Sequence, residues 1–304
     1  MNNASATPAA PVDRPRESRN ESVLPAIGLV LLSVALFSIM DAFSKVLAAE
    51  LDPIEIVWGR YLVILALLIP LAARQPRTLR SARPTLQLVR ALCVFGSAVF
   101  FIAGLARLPL ADASAIAFAA PLLVTALSIP LLGEHVGVRR WSAVAVGFVG
   151  VLIVIRPGSG AFDSAALLPL LSAVCWALSI VVTRRMRHDD RPLTTLLHST
   201  VIGLVLSSAA LPFVWQRASL AQWLVMAAMA GMSAGGQYFL IAGLMRGAAS
   251  LLAPFTYSQI VWSTLLGYFV FDALPTAWTW CGAALIVASG IYIGHRERQR
   301  RASG

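Results

Sequence analysis

The sequence predicts an all-α integral membrane protein with ten transmembrane helices, arranged as two inverted five-helix repeats. Three observations predict this fold: a composition that is 58% hydrophobic and only 12% charged, ten apolar segments separated by short polar ones, and an internal repeat. An ordinary soluble domain carries about 25% charged residues. A chain of 304 residues with half that share has too little polar surface for a soluble globule, which argues against a soluble enzyme.

The ten predicted spans follow one another with short loops. A helix needs roughly 20 apolar residues to cross the hydrocarbon core, and the segments that meet this need are 23–47, 54–73, 86–106, 110–132, 140–155, 165–183, 193–214, 220–244, 249–271 and 275–294. Spans one to five form a first repeat over 23–156, and spans six to ten form a second over 165–295. Residues 1–22 are predicted to be a disordered cytoplasmic tail, and residues 296–304 a basic cytoplasmic tail.

The basic residues predict the orientation of the chain. Of 24 Lys and Arg, 19 fall in the two tails and in the loops on the same side, and 3 fall in the loops on the other side. Cytoplasmic loops carry such an excess, so both termini are predicted to lie in the cytoplasm, below a bacterial-type inner membrane. The net charge of +10 is therefore assigned to loops rather than to a nucleic-acid surface. The predicted partners are the bilayer and a small-molecule substrate, and a monomer and a homodimer both remain open.

The repeat becomes visible when the sequence is shifted along itself by 139 residues. The aligned identities include a tetrapeptide, a proline and a tryptophan: Ile102–Leu105 with Ile241–Leu244, Pro53 with Pro192, and Trp141 with Trp280. Because five spans is an odd number, the second repeat enters the membrane in the opposite direction to the first. Inverted repeats with a site at their interface are a transporter architecture.

The most specific motif lies in the ninth span. It runs Leu252-Ala253-Pro254-Phe255-Thr256-Tyr257-Ser258-Gln259-Ile260-Val261-Trp262, and Leu132-Gly133-Glu134 closes the fourth span. With the two five-span repeats, these residues resemble the drug/metabolite transporter superfamily, specifically the EamA-type permeases, over roughly residues 24–298. The resemblance implies transport of small metabolites by alternating access without ATP. Family members move amino acids and their derivatives, opine-type metallophores, riboflavin and S-adenosylmethionine.

Three charged residues inside predicted spans are candidates for binding substrate or protons. Asp41 and Arg60 align with Ile180 and Ser199 in the other repeat, so the repeat itself does not require their charges. Both are expected at one depth in neighbouring spans, with Lys45 one helical turn from Asp41. Intramembrane charges are costly and are functional candidates by default. The alternative is a structural ion pair between spans one and two, with Lys45 reaching out to the membrane surface.

The other candidates are polar and aromatic residues expected in the walls of a cavity: Trp176, Gln237, Tyr238, Tyr257, Gln259 and Trp262. Rings stack on a polar organic ligand and amides orient it, whereas packing between helices is the alternative for each residue. Pro121 and Pro254 are expected to interrupt helical hydrogen bonding in spans four and nine. Gln87 and Arg90, at the start of span three, are expected to be anchors at the membrane interface.

The sequence favours a secondary transporter of a small carboxylated metabolite that is an amino acid or an opine- or metallophore-like compound, driven by protons. The resemblance to the family implies export. One alternative is import of a nutrient such as riboflavin or S-adenosylmethionine, and another is a membrane scaffold or enzyme. No HExxH motif and no paired carboxylates occur in the spans. Cys93, Cys175 and Cys281 lie in apolar runs without a CxxC motif. No catalytic residue, metal or cofactor is therefore predicted.

Overall fold

The computed structural model describes residues 23–75, 79–132, 138–157, 163–186, 189–190, 192–246, 252 and 255–302, and its regular structure over them is entirely helical. The predicted tail over residues 1–22 lies outside the described residues, as do Pro254, Gly133 and Glu134.

The described part of the first repeat contains six α-helices: α1 (Val23–Leu47), α2 (Pro53–Arg74), α3 (Pro84–Leu105), α4 (Leu110–Ala117), α5 (Ala120–Leu132) and α6 (Val138–Ile155). The described part of the second repeat contains five: α7 (Leu167–Met186), α8 (Pro192–Ala210), α9 (Leu220–Arg246), α10 (Ser258–Phe271) and α11 (Ala277–Ala302). Short 3-10 turns precede α7 at Ser164–Ala166 and follow α8 at Leu211–Phe213.

Seven helical segments of the described chain are long and apolar enough to cross a membrane. They coincide with predicted spans one to four, six, seven and ten. Two shorter apolar helices, Trp141–Ile155 and Ser258–Phe271, stand where spans five and nine are predicted, and the 27-residue α9 stands at span eight. An all-helical, multi-pass membrane fold is therefore confirmed, whereas the count of ten spans stays a prediction.

Two elements differ in detail from the sequence-based expectation. Span four consists of two helices, because residues 118–119 form a turn between α4 and α5, and Pro121 is the second residue of α5. The last helix continues to Ala302, so most of the basic segment over residues 296–304 is helical rather than a tail that begins after the helix. Arg, Glu and Gln are good helix formers, which explains why this helix continues beyond its apolar part.

The largest helix contacts join the two repeats. α1 packs on α9, α3 packs on α7, and α6 packs on α11. Small residues allow the backbones to approach closely, as in many membrane bundles. A Cβ atom added to Gly150 of α6 would lie 2.7 Å from the carbonyl oxygen of Gly282 in α11. The space enclosed by the bundle is thus bounded by helices from both repeats.

The bundle has two ends, which are distinguished by their loops. The end where α2 stops at Arg74 and α3 starts after Arg83 also holds the α7–α8 loop, and we name it the basic end. The end where α1 stops at Leu47 and α2 starts also holds the start of α9, and we name it the opposite end. The excess of basic residues predicts that the basic end faces the cytoplasm.

This orientation is checked by reporter fusions. Reporters fused after residues 80, 137, 188, 247 or 299 are expected to report a cytoplasmic location. Reporters fused after residues 50, 110, 160, 217 or 273 are expected to report a periplasmic one. A periplasmic N-terminus together with a cytoplasmic C-terminus would contradict the ten-span topology.

Candidate functional site

Asp41 of α1 is the centre of the candidate site. Its side chain is 4% exposed, and one carboxylate oxygen accepts a hydrogen bond of 3.0 Å from Nε2 of Gln259 in α10. Helical periodicity places Asp41 on the side of α1 that faces away from the exposed Leu32 and Val46. The buried hydroxyl of Ser38, one turn earlier, has no hydrogen-bond partner among the described residues. Asp41 therefore faces the interior of the bundle, where the first repeat meets the second.

Arg60 of α2 supplies a positive charge near this site. The side chain is half-buried, its guanidinium carbon lies 5.7 Å from the centre of the Tyr61 ring, and its charge acts on Asp41. Among the described residues the two side chains do not form an ion pair within 4.0 Å. The direct structural ion pair between spans one and two is thus not formed among the described residues.

Lys45 does not join Asp41 or Arg60. Its Nζ donates hydrogen bonds to the carbonyl oxygens of Leu105, at 2.8 Å, and Leu108, at 2.6 Å, and lies 5.5 Å from the centre of the Phe271 ring. The last carbonyls of a helix have no partner within the helix, so Lys45 satisfies the end of α3 from the neighbouring α1. Among the described residues its hydrogen-bond partners are these backbone groups at the opposite end, so the structure does not bring Lys45 to Asp41.

Replacing Lys45 with methionine is expected to destabilise the protein by about 2 kcal/mol, because hydrogen bonds from a charged donor contribute roughly this much. Thermal or detergent unfolding of purified protein measures the change. Met keeps the apolar stem of Lys, so loss of transport without loss of stability would contradict the capping role.

Trp176 of α7 lies on the side of its helix that faces away from two exposed leucines. It is 41% exposed, yet the residues one turn away on its side of the helix, Ser172 and Ser179, are buried. The lipid-facing side of α7 carries Leu167 and Leu171, which are also exposed and lie on the other side of the helix by its 3.6-residue period. The exposed ring of Trp176 therefore lies on a different side of α7 from Leu167 and Leu171, which favours the predicted position in a cavity wall.

Tyr257 marks the centre of the molecule. Its ring packs on Phe118, with ring centres 5.2 Å apart, and the 139-residue shift makes Phe118 and Tyr257 equivalent positions of the two repeats. Phe118 lies in the turn between α4 and α5, and Tyr257 directly precedes α10. The interrupted helices of both repeats thus meet through this ring pair.

The remaining predicted residues are spread around the bundle. Tyr238 is 68% exposed and lies on the outward side of α9 with the exposed Leu224, so the structure does not bring it to Asp41. Gln237 is exposed and follows Gly236 in α9. Trp262 is exposed on the side of α10 next to the outward-facing residues. Of the predicted set, the structure therefore brings together Asp41, Gln259 and Arg60.

Sequence reasoning missed a polar network beneath the basic end. Arg90 of α3 donates through Nε to Thr183 of α7 at 2.7 Å, and through Nη1 to Ser199 of α8. Gln87, one turn earlier, is fully buried and donates to Thr195 of α8 at 3.0 Å. The expectation of interface anchors is corrected, because these side chains join helices instead of facing the headgroups. The sequence signal for this network was the set of hydroxyl residues in spans six and seven, which are the hydrogen-bond partners of Gln87 and Arg90.

Asp190, in the α7–α8 loop outside the spans, completes this network. Partial burial raises the pKa of its carboxyl group, but hydrogen bonds from the Ser81 hydroxyl, the Ala82 backbone N–H and Gln87 outweigh that effect and lower the pKa below its ordinary value. A carboxyl group with a lowered pKa stabilises the fold above its unfolded-state pKa and loses this contribution as the pH falls through the folded-state value. The Asp190 contacts are thus intact near neutral pH.

The described helices of the two repeats pack on each other as a multi-pass membrane bundle. The sequence profile of the EamA-like transporter family matches residues 24–156 and 163–294. The chain belongs to this family, and the two matches coincide with the predicted repeats. The resemblance drawn from the sequence is confirmed.

Individual relatives match nearly the whole chain. A protein of Rickettsia bellii named S-adenosylmethionine uptake transporter is 26% identical over 274 residues, covering 90% of this chain and 94% of that protein. A protein of Rhizobium johnstonii named riboflavin transporter is 30% identical and covers 92% of this chain and 94% of that protein. A solved structure that is 22% identical superposes with a TM-score of 0.61, covering 94% of this chain and 100% of the other. That structure supports the fold.

Proposed function

We propose that this chain imports a zwitterionic metabolite in which a nitrogen heteroaromatic ring is attached to a ribose, with S-adenosylmethionine as the first candidate. One observation carries the proposal: an acidic and a basic side chain, Asp41 and Arg60, interact without forming a direct ion pair among the described residues, and Trp176 of α7 adds an exposed ring. A site of this kind offers a partner for each charge of a zwitterion and a flat surface for a ring.

S-adenosylmethionine has the matching groups. Its ammonium and sulfonium cations suit the Asp41 carboxylate, which Gln259 orients through its hydrogen bond. Its carboxylate suits Arg60, because planar guanidinium groups bind carboxylates well. Its adenine suits Trp176, because bases stack on aromatic side chains. The name of the Rickettsia bellii relative agrees with this assignment.

Import replaces export as the proposed direction. The sequence favoured an exporter, but that preference came from the family alone, and it is not confirmed. The relative with a stated direction is named an uptake transporter. Proton coupling through Asp41, and an inner membrane location with both termini in the cytoplasm, remain parts of the proposal.

The test is uptake of radiolabelled S-adenosylmethionine by cells or proteoliposomes that contain the protein. We expect saturable uptake that unlabelled substrate abolishes. S-adenosylhomocysteine, which lacks the sulfonium charge, and the amide of the substrate, which lacks the carboxylate, should compete more weakly. Uptake no faster than in protein-free vesicles would overturn the proposal.

Riboflavin is the second candidate, because the Rhizobium johnstonii relative reaches 30% identity over 92% of this chain. It shares with S-adenosylmethionine a nitrogen heteroaromatic ring on a five-carbon polyhydroxyl chain, but it is uncharged. Rescue of a riboflavin auxotroph at low external riboflavin tests this candidate directly.

Arg60→Gln distinguishes the two substrates. Removing the positive partner of a desolvated carboxylate costs several kcal/mol, so flux of S-adenosylmethionine should fall by about a hundredfold, whereas flux of riboflavin should stay near normal. Equal uptake of S-adenosylmethionine by the variant and the parent would show that Arg60 does not bind the carboxylate.

A further inference from the structure

Two helix interfaces occupy equivalent positions in the two repeats. Near the basic end α3 packs against α8, and near the opposite end α9 packs against α2. The 139-residue shift carries α3 onto α9 and α2 onto α8. Because the repeats are inverted, one interface closes each end of the same interior space.

The outermost contact is made once at each end. Arg83 Nε lies 3.3 Å from an oxygen of Asp189 at the basic end. Gln222 Nε2 donates a hydrogen bond of 2.7 Å to Glu50 at the opposite end. The shift maps Arg83 onto Gln222 and Glu50 onto Asp189. The two pairs are therefore the same contact in two inverted copies.

Behind this contact the two interfaces differ in chemistry. At the basic end Gln87 donates to Thr195 at 3.0 Å and to Asp190 at 2.8 Å. The residues at the equivalent positions of the opposite end are Met226, Ile56 and Leu51. Those three belong to one buried hydrophobic cluster. A polar network thus holds one end and apolar packing holds the other.

One turn further into the bundle, each end has one arginine, but non-equivalent helices supply it. The arginine is in α3 at the basic end and in α2 at the opposite end. Arg90 of α3 donates to Ser199 of α8 at the basic end. The equivalent positions hold Met229 in α9 and Arg60 in α2. Met229 is fully buried, whereas Arg60 is half-buried and its charge acts on Asp41. The arginine of the opposite end therefore serves the interior rather than the interface.

Opening the two interfaces has different costs. Polar groups separated at the basic end exchange protein hydrogen bonds for hydrogen bonds to water, which is close to balanced. Apolar side chains separated at the opposite end become exposed to water, which is unfavourable in proportion to the area exposed. Close packing adds to this cost, since a Cβ atom on Gly59 of α2 would meet the side chain of Met226.

We propose that the apolar α2–α9 interface is the tighter of two equivalent gates, so that the unloaded carrier opens its interior at the basic end. Gln87 and Thr195 on one side, and Met226 and Ile56 on the other, are the positioning residues that set this preference. The inference rests on alternating access of the proposed transporter, and it is independent of which substrate is carried.

The test measures access to one reporter from each side of the membrane. Ser38 of α1 is buried on the interior side of that helix, and Ser38→Cys places a thiol there in a chain whose Cys93, Cys175 and Cys281 are changed to serine. A membrane-impermeant maleimide is added to right-side-out and to inverted vesicles, with the sides assigned by the reporter fusions. We expect faster labelling from the basic end.

Exchanging residues between the equivalent interfaces should move this preference. Met226→Gln with Ile56→Thr gives the opposite end the residues of the basic end, and labelling from the opposite side should rise about tenfold, the effect of removing one buried apolar side chain. Gln87→Met with Thr195→Ile makes the reverse exchange and should slow labelling from the basic side by a similar factor.

Leu224→Thr is the matched control. It introduces the residue of the equivalent position, Thr85, on the exposed outer side of α9, and should leave both labelling rates unchanged. Faster labelling of the parent from the opposite end, or rates that neither exchange alters, would overturn the proposal. If the first exchange lowers abundance, the second decides by itself. Altered labelling without uptake of S-adenosylmethionine would reject only the substrate.

Discussion

Asp41→Asn is expected to reduce transport by at least about a hundredfold, since an unpartnered or missing charge in a desolvated site costs several kcal/mol. The amount of protein in the membrane should remain near normal. Asparagine has the size of aspartate and keeps an oxygen for the hydrogen bond that Gln259 donates at 3.0 Å, so the fold is preserved. What is lost is the negative charge that would hold a cationic group or a proton. Initial uptake rate and membrane abundance are measured in the same preparation.

Asp112→Asn is the matched control for this change. Asp112 is another carboxylate within a predicted span, and it accepts a hydrogen bond of 2.7 Å from Thr279 at the opposite end. The variant should transport at close to the normal rate. Reduced abundance of Asp41→Asn with normal activity per molecule would assign Asp41 a structural role. Normal transport at normal abundance would eliminate both roles.

Trp176→Ala is expected to raise the substrate concentration for half-maximal uptake by roughly 5- to 100-fold, the range that corresponds to loss of stacking between a base and an aromatic ring. Trp176→Phe should retain most of the affinity, because a phenyl ring still provides a flat apolar face. The equivalent position of the first repeat already carries Phe37. Concentration series of labelled substrate measure the effect.

Tyr238→Ala is the control for general effects of removing a large ring. Tyr238 is exposed on the outward side of α9, so its removal should leave the half-maximal concentration unchanged. An equal loss of affinity in both variants, or none in Trp176→Ala, would contradict an interior binding role for Trp176.

The sequence predicts the helices well because membrane thickness sets the length of an apolar segment. A run of about 20 apolar residues has few alternatives to a spanning helix, and every predicted span coincides with helical structure in the described chain. The unmatched charge of Asp41 could also be identified, since the repeat supplies a reference for each position. The helix break before Pro121 could be predicted from the sequence as well, because proline restricts the backbone locally.

Side-chain direction was much harder to predict. Helical spacing grouped Lys45 with Asp41. Its partners are instead the backbone carbonyl oxygens of Leu105 and Leu108, which are 60 and 63 residues away in the sequence. Tyr238 and Trp176 are both aromatic and mid-span, and only packing reveals how each ring lies relative to the exposed leucines of its helix. Gln87 and Arg90 likewise needed knowledge of which helices lie beside α3.

The ring pair of Phe118 and Tyr257 has a mechanical consequence. Each residue is the counterpart of the other, and they touch, so the approximate twofold axis that relates the two halves passes between them. The twofold rotation that superposes one half on the other leaves points on this axis unmoved. In the proposed alternating-access cycle the ring pair is therefore expected to move least, and helices further from the axis are expected to move further.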